Sequence, residues 1–216
     1  MKRRRPVRRL RPPRPVVLGL TGSIGMGKST ASAAFSRLGV PVLSSDEIVH
    51  RLLGPGGRGV APVGSAFPSA RRAGAISREA LAKEVFGKPE ALAKLESILH
   101  PLVWQEADRF VARMRRARRP LVALDVPLLY ETRGETRTHA VVVVTAPDFV
   151  QRARVLRRPG QTSARFAAIL ARQMPDREKR RRADHIVPTG LTRRDSLRRL
   201  RRIVVVLKNA PLNVGA

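Results

Sequence analysis

Residues 16–30 read VVLGLTGSIGMGKST, and the stretch fits G-x-x-x-x-G-K-[ST] at Gly22, Gly27, Lys28 and Ser29. The apolar run Val16–Leu20 has the length and composition of a buried strand. The small residues after Lys28, with Phe35 and Leu38, suit a helix that opens at the loop. Strand, glycine-rich loop and helix in that order place backbone N–H groups and a helix N-terminus around phosphate oxygens. Lys28 then reaches the β- and γ-phosphates and the Ser29 hydroxyl ligates Mg²⁺. Gly22, Gly25, Met26, Gly27, Lys28, Ser29 and Thr30 are the candidate ATP contacts.

Outward from this loop, Val40–Leu43 reads as a second short strand that ends in Ser44-Ser45-Asp46-Glu47. Ser44 and Glu47 have capping-box spacing, so a helix is expected from here through Leu53. In parallel α/β sheets ligands bind beyond the carboxyl ends of strands, and Asp46 lies at such an end, one strand away from the phosphate loop. A carboxylate there can accept a proton from an attacking hydroxyl. The structural alternative is that Asp46 only favours the positive end of its helix.

These elements continue into GLTGSIGMGKST, LGVPVLSSDEI, LESILHPLV at 95–103 and ALDVPLLYE at 123–131. The stretch Gln151–Asp184 adds a Q-x-x-R-x-x-x-R spacing and ILARQMPDREKRRRAD. Together, over roughly residues 16–207, they resemble dephospho-CoA kinase. The resemblance implies ATP-dependent phosphorylation of the ribose 3′-hydroxyl of 3′-dephospho-CoA, the last step of coenzyme A synthesis. It also implies a P-loop kinase fold: a five-stranded parallel sheet flanked by helices, with a helical acceptor-binding region at about 46–118 and a lid at about 151–175. It assigns Asp46 as base and Arg154, with Arg158 second, as the lid arginines that stabilise the transferred phosphoryl group. His100 and Arg78 become acceptor-side candidates. Three departures stand out: Ser44-Ser45 where the family often has Asp-Ala, Pro68 after Phe67 where Gly is common, and Thr189 where Asn is frequent before the last glycine.

Other strand candidates are 121–125, 140–144 and 185–187, alternating with helical stretches as in βαβ units. Asp125 closes one of them and is placed to orient Mg²⁺ through water. Leu128 after it either faces the pantetheine arm or packs. Gly54–Pro68 reads as loop, Ser77–Phe86 and Pro89–Arg116 as helices, with a kink or break at His100-Pro101. Thr145 and Asp148 suggest a capping box for a helix carrying Arg152, Arg154, Arg157 and Arg158. A final helix from Thr192 reads as purely structural packing.

A net charge of +28 on 216 residues is extreme. Residues 1–15 hold eight basic and no acidic side chains, and 151–202 hold 17 basic and 4 acidic. Three readings compete: non-specific nucleic-acid binding, a field that draws in anionic substrates, and arginine-biased composition on solvated faces. With 4% aromatic residues, stacking platforms for single strands are few. Residues 1–15 are expected to be a disordered basic extension and 208–216 a tail. Without cysteine there is neither disulfide nor thiol catalysis. No apolar run reaches the ~18 residues of a membrane span, no signal-peptide pattern follows the basic start, and the cytoplasm is expected. The alternatives to dephospho-CoA are another small hydroxylated acceptor, or a basic nucleic-acid-binding ATPase.

Overall fold

The computed structural model describes residues 14–209, so the basic extension up to residue 13 and the tail from 210 lie outside the described residues. Five parallel strands, β1 (Val16–Thr21), β2 (Val42–Ser44), β5 (Leu121–Asp125), β6 (Ala140–Thr145) and β7 (His185–Pro188), form one sheet in the order β2-β5-β1-β6-β7. Every residue of β1, β5 and β6 is buried, which is why these strands read as continuous apolar runs rather than alternating ones. Val16, Leu18 and Leu20 join one core with Phe35 of α1 (Lys28–Arg37) and Leu200, Ile203, Val204 and Leu207 of α9 (Arg193–Asn209). Val17, Val122 and Leu124 face the other way. They pack on Ile48 and Leu52 of α2 (Ser45–Leu53) and on Ala107 and Phe110 of α5 (Pro89–Arg116).

A second core lies beside the sheet. It gathers Leu53, Val60, Val63 and Phe67, Leu81 of α4 (Arg78–Val85), and Leu95 and Leu99 of α5. Here the local reading needs correction. Residues 54–68, expected as loop, contain helix α3 (Val60–Ala66). Pro62 sits in its first turn, where the missing N–H has no helical acceptor in any case, and Val60 and Val63 supply the buried side that holds it. A hairpin also went unforeseen: β3 (Arg71–Arg72) and β4 (Ala75–Ile76) turn through Ala73 and Gly74, both at positive φ. The Phe67-Pro68 departure is accommodated, because Pro68 opens a 3-10 turn over Pro68–Ala70 and Phe67 stays buried.

The chain shows no break at His100-Pro101, and one expected cap is absent. Helix α5 runs without a break through His100-Pro101 to Arg116. Its neighbours hold it, with Leu95, Leu99, Ala107 and Phe110 buried along its length. The Thr145–Asp148 capping box does not form. Thr145 ends β6 and its hydroxyl donates to Asp176 at 2.8 Å, while α6 (Asp148–Leu156) is preceded by Pro147. The two remaining helices are α7 (Ser163–Ala171) and α8 (Asp176–Arg182). The caps at Ser44, Ser77 and Thr192 form as their spacing or position suggests. Among the described residues no helix is long and apolar enough to cross a membrane.

Candidate active site

The strand registers set the site. Asp125 ends β5 level with Leu20 of β1 on one side and Ser44 of β2 on the other. The glycine-rich loop therefore starts two residues beyond the level of Asp125, and the first turn of α2 with Asp46 starts beside it. Strand β5 lies between β1 and β2, so the two carboxylates share one end of the sheet.

A cavity of about 840 Å³ opens there. It is lined by Gly22, Ser23, Ile24, Gly25, Gly27, Lys28, Ser29 and Thr30 of the loop, by Asp46, and by Arg154 and Arg158. Lys28 Nζ pairs with Asp125 Oδ1 at 2.5 Å, their side chains 15% and 6% exposed. That exposure makes the pair a desolvated one, in which each charge depends on the other. Burial pushes the Asp125 carboxyl above its ordinary value. The Lys28 charge and hydrogen bond and a hydrogen bond from Ser32 pull it back, and the charge of Asp46 pushes it up again. The last contribution places Asp46 within electrostatic reach of Asp125. The Asp46 carboxylate is exposed to the cavity, and the helix cap beside it is supplied by Ser44, which accepts from the Glu47 N–H at 3.4 Å.

The remaining candidates fall elsewhere. Met26 does not line the cavity; it is buried, and its sulfur accepts from the Ala146 N–H. Asp125 touches the cavity through Lys28 rather than as a wall of its own. Arg154 lines the cavity with its guanidinium bonded to the Thr189 carbonyl at 2.6 Å, to Thr189 Oγ1 at 3.0 Å and to the Gly25 carbonyl at 3.5 Å. Arg158 is exposed at the rim. Leu128 is half-buried outside the cavity, and its carbonyl accepts from Thr132. Its neighbours Leu129 and Tyr130 are core residues. Arg78, exposed at the start of α4, and His100, half-buried on α5, flank the second core and not the phosphate loop.

Several residues that complete the site lie in the motif stretches or the last helix but carry no site role in the sequence reading. Gln151, 4% exposed, donates to the Ile24 carbonyl at 2.7 Å, and Gln173 accepts from the Ile24 N–H at 3.0 Å. Lys179 is fully buried in α8. It pairs with Glu131 at 2.9 Å and donates to the Pro127 carbonyl at 3.2 Å, which braces the turn after β5. It stands in the run DREKRRR, whose charge suggests a solvated face. Helix α9, expected to be structural only, presents Arg193, Ser196, Leu197 and Leu200 to the cavity as well as packing on the sheet.

Residues 16–192 match the family model of dephospho-CoA kinase. The chain is 58% identical over 164 residues to the dephospho-CoA kinase of Paramagnetospirillum magneticum, covering 76% of this chain and 77% of that one. A crystal structure of a Thermus thermophilus protein superposes with a TM-score of 0.80 at 34% identity, covering 90% of this chain and 98% of the other. The dephospho-CoA kinase of Campylobacter jejuni shares the fold with a TM-score of 0.62 at 21% identity, over 90% of this chain and 98% of that one.

Proposed function

The chain belongs to the dephospho-CoA kinase family, and from that premise we propose that its cavity transfers the γ-phosphoryl group of ATP to the ribose 3′-hydroxyl of 3′-dephospho-CoA. One observation carries the reading to these residues: Lys28, Asp46 and Asp125 meet at a single end of the sheet around the glycine-rich loop. The loop N–H groups and Lys28 hold the β- and γ-phosphates. Asp46 accepts the proton of the ribose 3′-hydroxyl as that oxygen bonds to the γ-phosphorus. The bond from phosphorus to the β–γ bridging oxygen breaks, and ADP leaves with the electron pair.

The Asp46 and Asp125 carboxylates and the Ser29 hydroxyl, gathered beside a phosphate loop, form an oxygen donor set that fits Mg²⁺, a hard oxygen-seeking cation. Ser29 would hold the ion through its hydroxyl and Asp125 through water, with phosphate oxygens and further water completing the shell. When bound, the ion neutralises phosphate charge. Arg158 at the rim and Arg154 add positive charge on the lid side. The lid is the segment at about 151–175, and its first helix, α6, is bonded to the loop through Gln151 and Arg154. On the acceptor side, His100 and Arg78 bind dephospho-CoA across the helical region at about 46–118, with Leu128 beside its pantetheine arm. The protein works in the cytoplasm. The basic extension gives it salt-sensitive, non-specific attraction to nucleic acid.

The test is ADP release by the purified protein with 3′-dephospho-CoA, adenosine nucleotides or RNA added. Strong stimulation by dephospho-CoA alone is expected. Equal stimulation by another hydroxylated nucleotide, or by RNA, would overturn the acceptor assignment.

A further inference from the structure

The phosphate loop is bonded from outside as well as from within. Three successive carbonyls, those of Ile24, Gly25 and Met26, each accept a side-chain donor from far along the chain. Gln151 Nε2 reaches Ile24 at 2.7 Å, Arg154 reaches Gly25 at 3.5 Å, and Thr189 Oγ1 reaches Met26 at 2.7 Å. In a planar trans peptide the carbonyl and the following N–H point in opposite directions. Drawing the Ile24 carbonyl toward α6 turns the Gly25 N–H away from α6. Drawing the Met26 carbonyl toward Thr189 turns the Gly27 N–H away from Thr189. Gly25 and Gly27 both line the cavity.

The other two N–H groups of this stretch are already engaged. Ile24 donates to Gln173, and Met26 donates back to the Ser23 carbonyl at 3.1 Å. The N–H groups of Gly25 and Gly27 have no acceptor among the described residues. The glycines are required for this arrangement. Gly25 and Gly27 adopt φ of +77° and +90°, and an added Cβ would meet Val155 at 2.6 Å or Thr189 Oγ1 at 3.0 Å. The external donors therefore sit as close as the loop backbone allows.

We propose that Gln151 and Thr189 are positioning residues: by holding the Ile24 and Met26 carbonyls out of the cavity, they aim the Gly25 and Gly27 N–H groups at the terminal phosphates before nucleotide binds. The proposal rests on the reading of this loop as the ATP phosphate site, and it concerns residues that need not touch ATP. Donors fixed in advance cost no reorganisation when charge develops. The role also gives meaning to Thr189 where Asn is common. A hydroxyl at this position reaches the Met26 carbonyl directly, and the same oxygen accepts from Arg154 at 3.0 Å.

The experiment titrates ADP and a non-hydrolysable ATP analogue into wild type, Gln151→Met, Thr189→Val and Thr189→Ser, with a melting curve for each. A misdirected donor to a charged phosphate is worth about tenfold in affinity. Gln151→Met should weaken the analogue by about that factor and leave ADP within about twofold, because the proposal assigns the Gly25 N–H to the γ-phosphate and the Gly27 N–H to a phosphate that ADP also carries. Thr189→Val should weaken both ligands, and Thr189→Ser, which restores the hydroxyl, should recover them. The proposal is overturned if Thr189→Ser binds as poorly as Thr189→Val, or if Gln151→Met lowers the melting temperature with both affinities unchanged. Should Gln151→Met fail to fold, the valine–serine pair decides alone. Dephospho-CoA turnover by wild type, assayed in parallel, judges the acceptor assignment separately, since the titrations contain no acceptor.

Discussion

The phosphate loop and the second core beside the sheet are built differently. At the phosphate end the loop is held by Gln151, Arg154, Gln173 and Thr189 and by the Lys28–Asp125 pair, polar contacts between segments distant in sequence. In the region proposed to take the acceptor, α3, α4 and the first half of α5 surround an apolar core, and among the described residues no such side-chain bond ties down the candidates Arg78 and His100. A site that stabilises charge in the transition state gains from donors fixed beforehand. A region that admits a long, flexible acceptor gains from groups still free to move onto it. The difference predicts that substitutions at the phosphate end act on turnover and nucleotide affinity, and those in the region proposed for the acceptor act on acceptor affinity.

The strongest test of that division is Asp46→Asn. The cap of α2 is supplied by Ser44, so the substitution leaves the helix end intact. Loss of general-base assistance should lower kcat by ~10²–10⁴-fold, with nucleotide affinity changed less than about threefold. A kcat within about threefold of wild type, far below that range, would remove Asp46 from the mechanism.

Lys28→Ala comes next, with turnover expected to fall ~10²–10³-fold. Unlike an exposed loop lysine, this one also compensates the buried Asp125, so the melting temperature should drop by roughly 6–12 °C. The pH dependence follows from the raised pKa of Asp125. Its folded-state value lies above the ordinary 3.8, so its contribution favours the folded protein below that pH and is lost as pH rises through the folded value. Removing Lys28 raises the folded value further. The stability deficit of the variant should therefore be absent in acid and open as pH rises above 3.8. A deficit that is constant with pH would mean that Lys28 does not govern Asp125.

On the acceptor side His100→Ala should raise the KM for dephospho-CoA by about tenfold, the worth of one hydrogen bond to a charged group, with the KM for ATP unchanged. Equal changes in both would break the comparison between the two regions. The smallest effect on turnover belongs to Lys179→Met. It leaves Glu131 without its cation and should cost roughly 3 kcal/mol of stability, while kcat at 25 °C stays within about threefold. A kcat collapse in a folded Lys179→Met protein would extend the catalytic wiring to α8.

How much of this was legible in the sequence follows the same division. Gly22–Thr30 was readable because strand, loop and helix are contiguous, so one short stretch carries the whole phosphate-binding geometry. Asp125 was readable because it closes an apolar run of strand length. Gln151, Gln173 and Thr189 were not readable as loop contacts. Their bonds to Ile24 and Met26 span 127, 149 and 163 residues, and no local period encodes a pairing at that range. Residues 60–66 were misread because Pro62 and Gly64 are local breakers, yet burial of Val60 and Val63 against α5 outweighs them. Thr145 was misread as a cap because its hydroxyl has a tertiary partner in Asp176.

The central claim, phosphoryl transfer to one particular hydroxyl by this cavity, is tested most directly by the identity of the product. ³¹P NMR of a reaction containing the protein, ATP, Mg²⁺ and 3′-dephospho-CoA should show ADP and a new phosphomonoester on the ribose 3′-oxygen in equal amounts. ADP formed without that phosphomonoester, or a phosphate found on any other oxygen, would contradict it.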